Sequence, residues 1–200
     1  MNLWAVILCG GGSRRMGSDK ATLDFRGEPM LSYVVRRLSA AISLEQMVCV
    51  AAQGQTLPKL PAEVSVVRDR NRDCGPLEGL ATGLTAAQDA HGVFVTTCDA
   101  PLVSPEFVTL LASMLKDHEA VVPQIDEQLY PLTAVYRPSA AKLADERLRR
   151  GERRVIDWVA ELNTRYMSRG ELAKVDPELW SLRSCNTPEE YTALVELDSR

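Results

Sequence analysis

Apolar and polar positions along the chain follow two alternating periods. Residues 4–8 form a continuous apolar run, the signature of a strand buried on both faces. After Pro29, apolar side chains recur at Leu31, Val34, Val35, Leu38 and Ile42, the spacing of an amphipathic helix. Residues 47–52 and 64–67 read as the next two strands. Leu77, Leu80, Ala81 and Leu84 give a second helical face, and residues 93–97 a further buried strand that ends at Cys98-Asp99. Ser104-Pro105 opens a third helix, with serine as N-cap and proline at the first helical position. Its core face is Phe107, Leu110, Leu111, Met114 and Leu115. Residues 120–122 and 132–136 are strand candidates, and 138–150 and 155–162 read as helices. Thr187-Pro188-Glu189-Glu190 is a capping box opening a last helix, with Tyr191, Leu194 and Val195 turned inward.

Strands alternating with helices predict an α/β fold, Rossmann-like, with three α/β/α layers and a mostly parallel sheet. In such sheets ligands bind beyond the carboxyl ends of the strands. The 200 residues suffice for one domain with a substantial core, and 1–200 is expected to be a single domain. A formal net charge of −4 argues against general nucleic-acid binding but allows a small anion held by local arginines. The five cysteines are widely spaced, without a C-x-x-C, so a disulfide framework or zinc site is not expected and a reducing cytosol fits best. Cys49 and Cys98 fall in or beside strand runs as small core residues. His91 and His118 are isolated near helix ends, and no histidine chemistry is expected. No apolar run approaches a membrane span, and no secretory leader is recognisable, so the expectation is cytoplasmic with no membrane partner.

The stretch with chemical content follows the first strand: Leu8-Cys9-Gly10-Gly11-Gly12-Ser13-Arg14-Arg15-Met16-Gly17-Ser18-Asp19-Lys20. Gly10, Gly11 and Gly12 allow the backbone to approach a ligand, successive N–H groups can form an anion cradle, and Arg14, Arg15 and Lys20 add positive charge. The pattern predicts a nucleoside triphosphate; an ordinary glycine-rich turn is the plainer alternative. Two familiar phosphate loops are excluded by spacing. A dinucleotide fingerprint from Gly10 needs glycine where Arg15 stands, and a P-loop from Gly12 needs lysine where Ser18 stands.

Asp99 follows a buried strand, so its carboxylate is expected at the same strand ends, where Mg²⁺ shared with phosphates is its natural partner and a helix-start or turn aspartate is the plainer alternative. Gly75-Pro76-Leu77-Glu78-Gly79 opens the second helix and presents its N-terminus to a base or phosphate. Gly83 inside that helix suggests close packing. Asp69 is the member of the charged run 68–73 best placed to reach a sugar or base. Gly151-Glu152-Arg153-Arg154 reads by itself as a charged surface turn, with an anionic-acceptor site as the functional alternative.

Taken in order, these residues resemble bacterial molybdenum cofactor guanylyltransferases. The likeness runs through residues 8–20, Gly75-Pro76-Leu77-Glu78-Gly79, Cys98-Asp99-Ala100-Pro101, Pro131-Leu132-Thr133-Ala134-Val135, Gly151-Glu152-Arg153-Arg154-Val155 and Asn186-Thr187-Pro188-Glu189-Glu190. The resemblance implies a nucleotidyltransferase fold of the glycosyltransferase-A type and transfer of GMP from GTP to molybdopterin or its molybdenum form, releasing pyrophosphate. It implies Leu8, Gly10, Gly11, Gly12, Lys20, Asp69, Gly75 and Asp99 at the nucleotide. Arg15, Lys20 and Asp99 are implied in catalysis, with Asp99 on Mg²⁺. Arg153, Arg154 and Asn186 are implied at the acceptor, and a recipient molybdoenzyme or its chaperone as a further partner. Three positions differ from the family pattern: Cys9 replaces an alanine, Ala52 an asparagine thought to face guanine, and Ser184 a second asparagine. The competing readings are a cytidylyl or other small-molecule nucleotidyltransferase, and a non-catalytic GTP-binding carrier of the cofactor.

Overall fold

A computed structural model describes residues 2–10, 19–71 and 74–197. The strands are β1 (Leu3–Leu8), β2 (Asp24–Phe25), β3 (Glu28–Pro29), β4 (Met47–Ala51), β5 (Ser65–Arg68), β6 (Gly92–Thr97), β7 (Ala120–Ile125), β8 (Gln128–Leu129), β9 (Ala134–Tyr136) and β10 (Thr164–Met167). The α-helices are α1 (Met30–Leu38), α2 (Pro76–Ala86), α3 (Pro105–Ser113), α4 (Ala140–Arg149), α5 (Val155–Glu161), α6 (Arg169–Leu172) and α7 (Pro188–Leu197).

The main sheet runs β10-β7-β9-β6-β1-β4-β5, with β8 attached to β7. Pairs β6–β1, β1–β4, β4–β5 and β7–β10 are parallel. β9 lies antiparallel between β6 and β7. The sheet is therefore mostly parallel, as expected, but residues 132–136 shorten to a three-residue strand of reversed direction.

Alternation sorts each strand between two cores. Ala5, Ile7, Met47, Cys49 and Phe94 face the core made by α1 and α3. Val6, Leu8, Val48, Val50, Val93 and Val95 face the core made by α2, α4 and α5. Helices thus cover both faces, which is why the strands read as unbroken apolar runs. On the second face Gly83 touches the sheet: a Cβ there would lie 2.4 Å from Val6 Cγ1. Its glycine is a packing requirement, as the sequence suggested. Trp158 of α5 is fully buried against Tyr136, with ring centroids 4.8 Å apart, and donates its indole N–H to the Ala140 carbonyl.

A third, smaller core joins distant parts of the chain. Phe25, Met30, Tyr33 and Leu102 pack with Cys185 and Leu194, so α7 is seated on the β2–β3 hairpin. Tyr191 ties the two by donating to the Asp24 carbonyl. Helix α1 ends at Leu38, although Ile42 beyond it is still buried. Among the described residues, no helix is long and apolar enough to cross a membrane.

Candidate functional site

The parallel strands β1, β4, β5 and β6 all point their carboxyl ends the same way, and the predicted residues gather there. The sheet continues past the formal strand ends: Cys9 N–H donates to the Val50 carbonyl at 2.8 Å, Cys98 N–H to Leu8 at 3.0 Å, and Asp69 N–H to Ala51 at 2.9 Å. Leu8 itself is buried, its side chain beside Gly79. Gly11, Gly12 and Arg15 lie outside the described residues.

Lys20 and Asp99 meet. Asp19 caps a short 3-10 turn at Lys20–Thr22 by accepting from Ala21 N–H, which fixes the lysine backbone at the foot of the loop. Lys20 Nζ then donates to Asp99 Oδ2 at 2.6 Å and to Asn186 Oδ1 at 2.9 Å. The other Asp99 oxygen accepts from Thr97 Oγ1 at 2.5 Å. Asp99 also receives the Cys185 N–H on its backbone carbonyl, so the segment before α7 is hydrogen-bonded to the end of β6. The Asn186 carboxamide is oriented by Ser184, whose hydroxyl oxygen accepts from Asn186 Nδ2 at 3.0 Å.

Asp69 sits between two glycines. A Cβ built on Gly10 would come within 3.1 Å of Asp69 Oδ2 and 3.2 Å of Ala52 N, and one on Gly79 within 3.6 Å of Asp69 Oδ1. Asp69 Oδ1 is buried and has no hydrogen-bond partner among the described residues. Burial first, and the nearby Glu78 carboxylate second, push the Asp69 carboxyl up to about 6. Such an orphaned acceptor is costly unless a ligand donates to it. Gly75 caps α2 with φ +75°, a left-handed conformation that favours glycine.

Glu78, read in the sequence only as part of the helix opening at residues 75–79, and Gln55, which was not singled out, shape this half of the site. Glu78, 1% exposed, accepts the backbone N–H groups of Arg70 and Asn71 at 3.1 and 3.2 Å and pairs with Arg70. Gln55 bonds three segments at once: Ala52 N–H, the Cys9 carbonyl and Asp19 Oδ2. The available signal for Glu78 was an acidic residue in the first turn of the predicted second helix; its burial was not legible. Gln55 gave none, because its partners come from three separate segments.

Beyond Asp99 opens a cavity of about 530 Å³. Thr97, Asp99 and Asn186 line one side, Arg153 and Arg154 another, and Leu129, Tyr130, Leu132 and Ile156 supply apolar wall. Arg153 and Arg154 are exposed, as a surface turn requires, yet they border the same cavity as Asp99. The plain surface-turn reading of residues 151–154 is thus incomplete. His91 is exposed and His118 half-buried, and neither lines this cavity.

Comparison with known proteins bears on the family and the fold. Residues 5–164 match the family model described as the MobA-like NTP transferase domain. A probable molybdenum cofactor guanylyltransferase of Mycobacterium avium is 34% identical, covering 98% of this chain and 96% of that protein. The protein of the same description from Methanosarcina mazei is 30% identical over 96% of this chain and 89% of its own. The crystal structure of molybdopterin-guanine dinucleotide biosynthesis protein A from Archaeoglobus fulgidus superposes with a TM-score of 0.80 at 25% identity, covering 98% of each chain. A family match over most of the sequence, and relatives alike nearly end to end on a mostly parallel sheet, lead to one conclusion: the chain belongs to the MobA-like NTP transferase family.

Proposed function

We propose that the chain is a molybdenum cofactor guanylyltransferase, transferring GMP from GTP to molybdopterin or its molybdenum form in the cytosol. The observation that carries the reading is the convergence of Lys20, Asp99 and Asn186 beside a cavity that Arg153 and Arg154 also line. A cation, a carboxylate and an arginine pair there suit a reaction between two anions.

In this reading the nucleotide lies over residues 8–20. Gly10, Gly11 and Gly12 leave room for it, Gly75 begins the helix facing it, and Asp69 accepts from the nucleoside. Lys20, now held by Asp99 and Asn186, turns to the triphosphate, and Arg15 adds a second positive charge. The acceptor enters the apolar-walled cavity with its phosphate toward Arg153, Arg154 and Asn186. A phosphate oxygen of the acceptor attacks the α-phosphorus of GTP. The bond from that phosphorus to the β-phosphate oxygen breaks, and pyrophosphate leaves carrying the bonding pair. The protein supplies no nucleophile; it aligns two anions and stabilises the charge that moves to the leaving group.

Asp99 suits Mg²⁺. Among the described residues no three His, Cys, Asp or Glu side chains gather as a self-sufficient metal site. A single strand-end carboxylate beside a phosphate site is the donor set of a cation that completes its shell with phosphate and water. Bound there, Mg²⁺ would supply charge neutralisation at the phosphate oxygens.

The test is pyrophosphate release from GTP and from CTP, each with Mg²⁺ and molybdopterin. Release with GTP supports the reading and shows that Ala52 is tolerated. Release with CTP alone moves the chain to cytidylyl transfer. Release with neither supports a cofactor carrier.

A further inference from the structure

Arg147 is the most enclosed cation among the described residues that the proposed reaction does not use. It lies in the last turn of α4, and its side chain is 8% exposed. Three carboxylates surround its guanidinium. Nη1 pairs with Glu161, the last residue of α5. Nη2 lies 3.1 Å from Glu152 Oε2 and 3.9 Å from Asp157 Oδ2. The Arg147 carbonyl also accepts the Glu152 N–H at 3.0 Å. Its Nε has no hydrogen-bond partner among the described residues.

The partners identify what this cation holds. Glu152 directly precedes Arg153. Asp157 is shared, because its Oδ2 is also 3.8 Å from Arg154 Nε. Helix α5 begins at Val155 with no side-chain cap on its first turn. The corner between α4 and α5 passes through Gly151 at φ +79°, a conformation that does not by itself set the direction of residues 152–155. Arg147 grips the corner just before Arg153, the first turn of α5 through Asp157, and its last residue through Glu161. It also neutralises acidic groups that would otherwise draw Arg154 inward and repel an anion. The three carboxylates stay 41–47% exposed, and ion pairs to exposed partners contribute little to stability, so a role in orientation explains the residue better than stability does.

We propose that Arg147 is a positioning residue for the acceptor: it sets the α4–α5 corner so that Arg153 and Arg154 face the cavity. This rests on the proposed function, and the closing experiment separates the two. Arg147→Met keeps length and loses charge; Arg147→Lys keeps charge and loses the planar fork. Arg149→Met, an exposed neighbour on the same helix, controls for net charge. Full-length proteins are assayed for pyrophosphate release with GTP and molybdopterin varied in turn, after circular dichroism.

Arg147→Met is expected to raise the KM for molybdopterin about tenfold, with the KM for GTP within about twofold and kcat within about threefold. Arg147→Lys should recover part of that loss, and Arg149→Met should match the parent protein. Should the methionine variant fail to fold, a rise of about threefold in molybdopterin KM alone in Arg147→Lys carries the point. An unchanged molybdopterin KM in folded variants, or an equal rise in both KM values, overturns the inference alone. A parent protein that releases no pyrophosphate overturns the proposed function and this inference with it.

Discussion

The surroundings of Asp69 and of Arg154 are built from opposite materials. Around Asp69 the chain is packed tightly: two glycines face the carboxylate, Ala52 closes one side, and Glu78 clamps the adjoining loop from beneath. The backbone at Gly10 runs so close to Asp69 and Ala52 that even a Cβ there would be crowded. Around Arg154 the surface is open, the side chains are long, and ion pairs set the geometry. In the proposed function the first region would select its ligand by shape and by one unsatisfied acceptor, and the second by charge. A nucleoside with a rigid base suits the first, and an acceptor recognised through its phosphate suits the second. Lys20 pairs with Asp99, which lines the cavity of the second region, and Asp19 beside Lys20 is bonded through Gln55 to Ala52 of the first.

That contrast can be broken at the junction first. Asp99→Asn or Lys20→Ala should lower turnover about 10²–10³-fold while the protein stays folded, because each removes a charge that acts only once the phosphates are in place. Single-turnover pyrophosphate release with circular dichroism checks this.

Substitutions on either side should then separate the substrates. Gly10→Ala pushes a methyl to within 3.1 Å of Asp69 Oδ2 and 3.2 Å of a backbone nitrogen that has little room to yield. It should raise the KM for GTP about tenfold and leave the acceptor KM near its parent value. Arg153→Ala with Arg154→Ala should do the reverse, and its effect should shrink as salt rises, since exposed charges are screened.

A smaller effect concerns pH. The Asp69 carboxyl is raised to about 6 by burial and by Glu78, against about 4 in an unfolded chain. The folded protein therefore binds that proton more tightly than the unfolded one. Its contribution to stability is fully present below pH about 4 and is lost as pH rises through about 6. Asp69→Asn should flatten this slope and stabilise the ligand-free protein near pH 7 by about 1–2 kcal/mol, a figure reduced for partial solvent exposure. It should weaken GTP at the same time. Urea melts between pH 4 and 8 measure the slope. Smallest of all, Cys9→Ala, which restores the residue expected from the resemblance, removes one buried sulfur and should cost about 1 kcal/mol with little change in either KM.

The sequence carried much of this arrangement, and its failures have physical causes. The residue 4–8 run and the strand-end place of Asp99 were legible because a strand buried on both faces writes itself as an apolar run and ends where polar residues begin. β10 was missed: as a half-exposed edge strand, Thr164–Met167 shows only one fully buried residue. The β2–β3 hairpin has only two residues per strand, and its signal was the turn, where Arg26 and Gly27 both take positive φ. Helix α6 carried a readable capping box in Ser168 and Glu171 but is a single turn. The reversed direction of β9 leaves no trace in periodicity, because both directions bury alternate residues. In the site, residues that would touch substrate could be named from motif spacing. Those that hold them, such as Gln55, Glu78 and Arg147, act through partners that only the fold brings together.

The most direct test of a crevice built in two independent halves is equilibrium binding, one ligand at a time. GTP and molybdopterin would be titrated separately into the parent protein, Gly10→Ala and the Arg153→Ala, Arg154→Ala double variant. The prediction is that Gly10→Ala weakens GTP alone by about tenfold and the double variant weakens molybdopterin alone by a similar factor. A double variant that binds GTP as poorly as it binds molybdopterin would contradict it, and would mean that shape and charge act on both ligands together.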